Sequence, residues 1–574
     1  ETATARSEAF NDDQAEALIV IDEMAAEAQS ALEAGDYENA VAAEEGALLV
    51  ARDLLGNSHG ITIGVNRDLG FIYRQIGMAQ EAETYYSDAL IAAEEVLGAN
   101  HPTTLEIHGL IAELYAAMGL ADESAMIGQL VVSGYSEAFG ASHPLTVDAR
   151  FGVINQLQAT NQFETALMAA GELCESIETA YGSYHPQAIY CLQTTAGILT
   201  VMGQLAEAET TYSQVIDRMG AVKSDVDAYV LNALLEIAEI YRVLGRYQES
   251  KDLLSGVIHT ALLVGDVERS YTAKSYLGRV LNNEGSYDKA LALTEEVLDY
   301  GVVAWQSIPV NVYNTLLELG SIYQAQGKLA DAEATYKEAL QGLVELLGDA
   351  HPSSLVARNN LGLIYEKSGL YDQAEPMLKE TLSKMERILG EDNVQTLNVR
   401  NNLALLFESQ GNFREAEPMY IKSLDMMIAL YGEDHTNTNA VKNNLAYLYM
   451  LMEDYDQSSE MFEEVRSSWT TIFGESHANT LKATNNLGRV YKRQGKLDLA
   501  EEKISQALAL RQEVLGKDHI DAIRSMIDLG GVYLDQERFD EAAVILTDAL
   551  ALAENQLGNL HPYTFDALNY LAKV

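Results

Sequence analysis

Nine of the eleven histidines (His59, His101, His143, His185, His351, His435, His477, His519 and His561) recur at one place in a repeating pattern. Imidazole suits metal ligation and proton transfer, so these come first. No HExxH is present, and side chains a whole repeat apart are too far separated to share a metal ion. They are expected to punctuate loops by hydrogen-bonding the turn. Glutamate pairs such as Glu44–Glu45 and Glu94–Glu95 are adjacent, and so diverge around a helix instead of converging on a substrate. Cys174 and Cys191 fall on successive predicted helices with no CxxC between them. A single bridge is open to them, but two unpaired buried thiols is the favoured expectation. No phosphate-cradling glycine loop and no nucleophile with a base stands out. The expectation is a segment without catalytic activity, cofactor or metal.

The asparagines make the stronger pattern. RNNLGLIYEKSGLYDQAEPML at Arg358 recurs as RNNLALLFESQGNFREAEPMY at Arg400, then near Lys442 and Thr484, 42 residues apart each time. Residues at helical spacings 0, 4, 7 and 11 form one stripe. It reads Val356, Asn360, Leu363, Lys367; then Asn398, Asn402, Leu405, Ser409; then Ala440, Asn444, Tyr447, Leu451; then Lys482, Asn486, Arg489, Arg493, with Arg524 in the next unit. An amide offers both a donor and an acceptor, which an extended peptide backbone needs. The second asparagines, Asn359, Asn401, Asn443 and Asn485, lie about 100° around the helix and are expected to bridge neighbouring helices. Over the first eight repeats the stripe instead carries Asp68, Glu106, Glu113, Asp148, Glu236, Glu239 and Glu318, so the groove is expected to change sign along its length.

The elements that position these side chains follow from the period. Stepping from Gly369 by 42 gives Gly411, Glu453, Gly495 and Glu537 in one direction. In the other it gives Gly327, Gly285, then after one 40-residue unit Gly245, Gly203, Asn161, Gly119, Gly77 and Gly35. That is thirteen repeats and the first helix of a fourteenth. In the unit at Gly369 the first helix places Ala357, Leu361 and Tyr365 on one face, and Gly362 is small enough for close helix approach. The second helix carries Tyr371, Ala374, Leu378 and Met385 and stops at Gly390. Equivalent stops are Gly56, Gly98, Gly140, Gly182, Gly348, Gly432, Gly474, Gly516 and Gly558, commonly followed by His-Pro, where proline suits a helix start. Residues 1–13 read as a lead-in and 14–219 as an acidic array. Residues 220–312 read as an irregular seam where VKSDVDAY, VGDVERSY and AWQSIPVNVY replace the loop signature, and 313–574 as the array with the asparagine ladder.

NNLALLF, GNFREAEPMY and LGDAHPSSL resemble the tetratricopeptide repeat, specifically the 42-residue kind of kinesin light chains, over essentially residues 14–574. The resemblance implies an all-α fold, a right-handed α-solenoid of helix pairs with no strands. It also implies that the stripe lines the concave groove, and that Asn360, Asn402, Asn444 and Asn486 contact bound peptide. Lys482, Arg489, Arg493 and Arg524 would then hold an acidic group at the end of the ladder, and Tyr447 would join the peptide-binding residues. Function stays weakly specified, because the family serves many unrelated partners.

Charge narrows the partners. The chain carries −49, and its first 220 residues, with 6 Arg, no Lys and 33 acidic residues, hold −27 of that. Such a surface repels nucleic acid and anionic membranes and favours cationic partners. Apolar residues make up 48%, ample for a core, yet no run reaches membrane-spanning length. The leading expectation is a non-catalytic scaffold binding a protein or peptide segment. A second is the regulatory arm of a larger enzyme, since bacterial proteins resembling this one often carry a CHAT-type peptidase domain after such repeats. The absence of an initial methionine and an end inside a predicted helix point to a longer protein. A third is a filament built by head-to-tail stacking of uncapped solenoid ends. Compartment is not fixed, with the cytoplasm slightly favoured over periplasm or secretion.

Overall fold

The computed structural model describes residues 12–33, 36–118, 120–221, 228–304, 309–559 and 561–574. These residues form 27 helices, thirteen successive pairs and the single helix Pro562–Leu571, with no strand among them. Each helix packs on the next, and most first helices also meet the first helix of the following repeat. The result is an α-solenoid. In the unit Pro352–Lys367 and Tyr371–Leu389, the predicted apolar face is buried: Ala357, Leu361, Tyr365, Ala374, Leu378 and Met385 all lie in the core. A Cβ added at Gly362 would stand 2.7 Å from Leu378 Cδ2, so only glycine lets the two helices approach this closely.

The recurring histidine caps the next first helix. Nδ1 of each of the nine accepts the backbone N–H two residues on, at 3.1–3.3 Å. Asn393 replaces histidine in one repeat and caps in the same way through Oδ1, at 2.9 Å. The hydroxyl three residues beyond the cap, as in Thr104 or Ser354, donates to the carbonyl of the preceding stop glycine. That second clamp is written in the recurring Thr or Ser of HPTT and HPSS, a signal the sequence reading passed over.

The two glycine positions differ physically. Stop glycines such as Gly390, at φ 90° and ψ 162°, occupy a region essentially closed to other residues. Gly369, between the helices of a repeat, is at φ 71°, the left-handed region that other residues enter at a cost. The three units lacking glycine there hold Asn161, Glu453 and Glu537 at φ 59°, 66° and 62°.

Two sequence expectations meet corrections or limits. Cys174 and Cys191 are not free thiols but a disulfide. Helices Phe163–Tyr181 and Pro186–Val201 pack so closely that the two Cα atoms stand 5.5 Å apart, within bridging range. The seam falls partly on residues 222–227 and 305–308, which lie outside the described residues, as do Gly35 and Gly119. Where described, the seam replaces the histidine cap with Asp266, whose carboxylate accepts from Arg269 N at 3.0 Å.

Successive turns of the solenoid touch. His435 Nε2 lies 3.2 Å from Val201 O and His477 Nε2 2.9 Å from Val243 O, each pair 234 residues, or about five and a half repeats, apart. Because Nδ1 already accepts at the cap, Nε2 carries the proton and donates. The His519 ring also stands against Gly285 and the His561 ring against Gly327, while His351 meets Gly77, one repeat further away along the chain. Phe163 stacks on Tyr431 across the same junction, with ring centroids 5.6 Å apart. Val201 and Val243 are the last residues of their helices, where carbonyls lack an intrahelical partner, so the histidine of the next turn supplies one.

Candidate functional site

The asparagine ladder runs along the first helices Pro352–Lys367, Val394–Ser409, Thr436–Leu451 and Ala478–Arg493. Asn360, Asn402 and Asn444 are half-buried. Asn486 is only 4% exposed, so its amide lies beneath the surface that the sequence pattern assigned it to. The amides also bond sideways. Asn402 Nδ2 donates to Asn359 Oδ1 at 3.0 Å and Asn444 Nδ2 to Asn401 Oδ1 at 3.4 Å. Neighbouring first helices bring residues 43 apart within amide reach, and in the pair Asn401–Asn402 both members take part in these bridges. Among the described residues, Asn402 keeps its carbonyl oxygen unpartnered and Asn360 makes no side-chain hydrogen bond.

Beyond the ladder a polar chain crosses three repeats. Arg511 Nη1 donates to Ser525 Oγ at 2.6 Å, Ser525 Oγ to Asn485 Oδ1 at 2.9 Å, and Asn485 Nδ2 to Asp528 Oδ2 at 2.7 Å. Asp528 faces Arg489 at 3.6 Å, and the Arg489 guanidinium lies 5.4 Å from the centre of the Tyr447 ring. Burial alone would lower the Arg489 pKa, but Asp528 and Tyr447 outweigh it and hold the group above its ordinary value. Its Nη1 is nonetheless buried without a partner. Sequence reasoning missed Arg511, which lies on a second helix. Asp528 was within reach, because it continues the stripe one turn after Arg524.

Lys482, Arg493 and Arg524 form no ion pair among the described residues, in a chain with 86 acidic and 37 basic residues. Lys482 is open to solvent at its surface, yet the enclosing walls strip away enough water to push its pKa down, and Arg524 adds to the effect. Burial likewise lowers Lys367, with Glu366 opposing. At the acidic end the opposite holds. Arg67 pairs with Asp68 and Glu106, Arg74 with Glu113, Arg242 with Glu239, and Arg279 lies between Glu239 and Glu318. Asp68, Glu106, Glu113, Glu239 and Glu318 of the acidic stripe thus each face an arginine, whereas Lys482, Arg493 and Arg524 at the other end face no carboxylate within ion-pair distance among the described residues. Among the described residues no group of three or more His, Cys, Asp or Glu is placed to hold a metal ion. No helix described is long and apolar enough to cross a membrane.

Comparison with curated proteins found no match. Several solved structures are similar at low identity. BtubC (BKLC) from P. vanneervenii is 21% identical, covering 42% of this chain and 94% of its own, with a TM-score of 0.34. A Podosopora anserina putative kinesin light chain with nearly identical TPR-like repeats is 21% identical over 36% of this chain and 97% of its own, at 0.31. A Rap protein complexed with competence and sporulation factor is 13% identical over 64% and 98%, at 0.44. The tetratricopeptide repeat pattern itself matches residues 61–137, 311–387, 356–429, 395–466, 437–513 and 482–555. With that pattern covering more than half of its length and a helix pair in every register of the sequence repeat, the chain belongs to the tetratricopeptide repeat family.

Proposed function

We propose that the chain is a non-catalytic protein-interaction scaffold that holds an extended protein segment in its concave groove, with an acidic group of that segment at the C-terminal end. Membership of the tetratricopeptide repeat family supports the scaffold. The observation that carries the finer reading is the set of uncompensated cations, Lys482, Arg493 and Arg524, beside the buried, unpartnered Nη1 of Arg489. A carboxylate entering there gains charge-assisted hydrogen bonds, stronger than neutral ones, and relieves a desolvated donor. On this reading Asn360 and the free carbonyl of Asn402 meet the segment's backbone, Asn444 follows along the row, and Tyr447 supplies an aromatic face. Asn486 is left to the scaffold's interior. Nucleic acid is not expected as a partner, because the field of −49 charges repels it. The Cys174–Cys191 bridge favours an oxidising compartment over the cytoplasm.

The test compares extended peptides of equal length bearing Glu or Gln clusters, titrated by fluorescence anisotropy against the 574-residue chain and its Lys482→Glu/Arg524→Glu variant. The Glu peptide should bind more tightly to the natural chain, less so as salt rises, and the variant should lose the preference. Equal affinity for both peptides, or a preference that the variant retains, refutes the reading.

A further inference from the structure

The cationic end of the groove draws its donors from three helices. Lys482 and Arg489 stand on Ala478–Arg493, Arg511 on Leu497–Val514 and Arg524 on Ile520–Asp535. Arg511 is 3% exposed, and both acceptors of its Nη1, Asp521 O at 3.1 Å and Ser525 Oγ at 2.6 Å, are neutral. It makes no ion pair among the described residues, and so joins Lys482, Arg493 and Arg524 as a fourth unpaired cation. The Arg524 guanidinium lies 5.9 Å from the centre of the Tyr563 ring. Arg489 shares Asp528 with Asn485 and leaves its buried Nη1 unpartnered.

Few carboxylates face this cluster. Asp528 is occupied by Asn485 and Arg489, and Asp521 sits in the first turn of its helix, 3.9 Å from His519. Asp566 comes within electrostatic reach of Arg489 and Arg524 from Pro562–Leu571. Five cations against three carboxylates leave two positive charges in excess. Lys367, from three repeats earlier, also reaches Lys482 electrostatically, with Glu366 beside it as an offset. Burial first, then Arg524, holds Lys482 below the ordinary lysine range. An anion seated among these groups would relieve that crowding.

A carboxylate matches this arrangement poorly. It is planar, carries one charge on two oxygens, and is satisfied by a single guanidinium meeting it edge to edge. A phosphate monoester carries about −1.5 to −2 at pH 7 and turns three acceptor oxygens in three directions. We propose that the acidic group held at this end of the groove is a phosphorylated side chain on an extended segment of a protein partner. The inference rests on the reading that an acidic group seats here, and specifies which one. Lys482, Arg524 and the free Nη1 of Arg489 supply donors from two neighbouring first helices, one for each phosphoryl oxygen. Arg511, whose Nη1 is already engaged, supplies charge from behind them. A nucleic-acid backbone offers only one charge per phosphate and meets the repulsion of −49 charges.

Three degenerate peptide pools of equal length, differing only in a central phosphoserine, glutamate or serine, test it by fluorescence anisotropy against the 574-residue chain. The phosphoserine pool should bind about tenfold or more tightly than the glutamate pool. Inorganic phosphate should displace it where acetate at equal ionic strength does not. Lys482→Gln and Arg524→Gln break no ion pair, so each should cut the phosphoserine preference by about fivefold or more without moving the melting temperature. Arg524→Lys, which keeps the charge, should lose less. Phosphoserine binding no tighter than glutamate overturns this proposal, and leaves the acidic-group reading standing if glutamate still exceeds serine. Equal binding of all three pools overturns both. A single-stranded oligonucleotide that outbinds the phosphoserine pool also overturns the proposal.

Discussion

His435 does two things at once, and substitution can separate them. Its Nδ1 caps helix Thr436–Leu451, and its Nε2–H reaches Val201 O in the previous turn, from a side chain only 8% exposed. Its ring also stacks on Tyr431 at 4.4 Å. His435→Asn keeps the cap, by the precedent of Asn393, and loses the inter-turn bond and the stack. His143→Asn is the matched control, because His143 caps identically and stacks on Phe139 at 4.7 Å but bonds to no other turn among the described residues. The difference between the two variants therefore isolates the inter-turn contact, the bond to Val201 together with the packing of the ring on Gly203. A net hydrogen bond is worth about 1 kcal/mol, and leaving the Val201 carbonyl unpartnered raises the expected difference to roughly 1–3 kcal/mol. His435→Ala should cost about 1 kcal/mol more than His435→Asn through loss of the cap. Repeat arrays need not unfold in one step, so the assay is amide hydrogen exchange instead of a single melting curve. Met202, Gly203 and Gln204, whose N–H groups bond back to Ile198, Thr200 and Leu199, should exchange faster in His435→Asn, with no matching change anywhere in His143→Asn. Equal effects of the two asparagine variants would refute the claim that the turns are held together by this bond.

Reducing the Cys174–Cys191 bridge, or replacing both residues with serine, should lower stability by about 3 kcal/mol for a 17-residue separation, read as a shift in denaturant midpoint confined to the neighbouring repeats. Glu453→Gly should raise local stability by roughly 1 kcal/mol by relieving a left-handed backbone, whereas Gly369→Glu should lower it by a similar amount; exchange at the turn amides reads both. Glu408, 7% exposed, is pushed up to about 7 by burial, with Tyr420 opposing and Glu366 adding. Its folded pKa lies above its unfolded one, so the stability it contributes is complete below about 4.5 and lost as pH rises through about 7. Glu408→Gln should therefore stabilise the protein by up to about 3 kcal/mol at pH 8 and by little at pH 4, measured by denaturant titration at both.

Much of this architecture was legible because it is local. The 42-residue step named each positive-φ position among the described residues of the regular repeats, including the three where Asn161, Glu453 and Glu537 take glycine's place. The histidine caps were legible as turn punctuation for the same reason. The sideways bonds of Asn402 and Asn444 were half legible: spacing placed the amides on a face but not their reach toward the preceding helix. The burial of Asn486 and the role of Arg511 depend on how neighbouring helices lean together, which a stripe drawn on one helix does not contain. Least legible was the contact between turns. His143 and His435 sit in the same motif, and only the small rotation accumulated over five repeats brings one of them onto another coil while the other faces solvent.

That coil-on-coil contact gives the molecule a mechanical character. The bonds from His435 to Val201 and from His477 to Val243 lie side by side around one circumference, so tension applied along the axis loads them together instead of one after another. The coil resists as a stiff body until these clasps rupture, and only then extends as a compliant spring, with every helix pair still folded. A partner that threads the bore or wedges between the coils would do work against that threshold, and its release would let the coils snap shut.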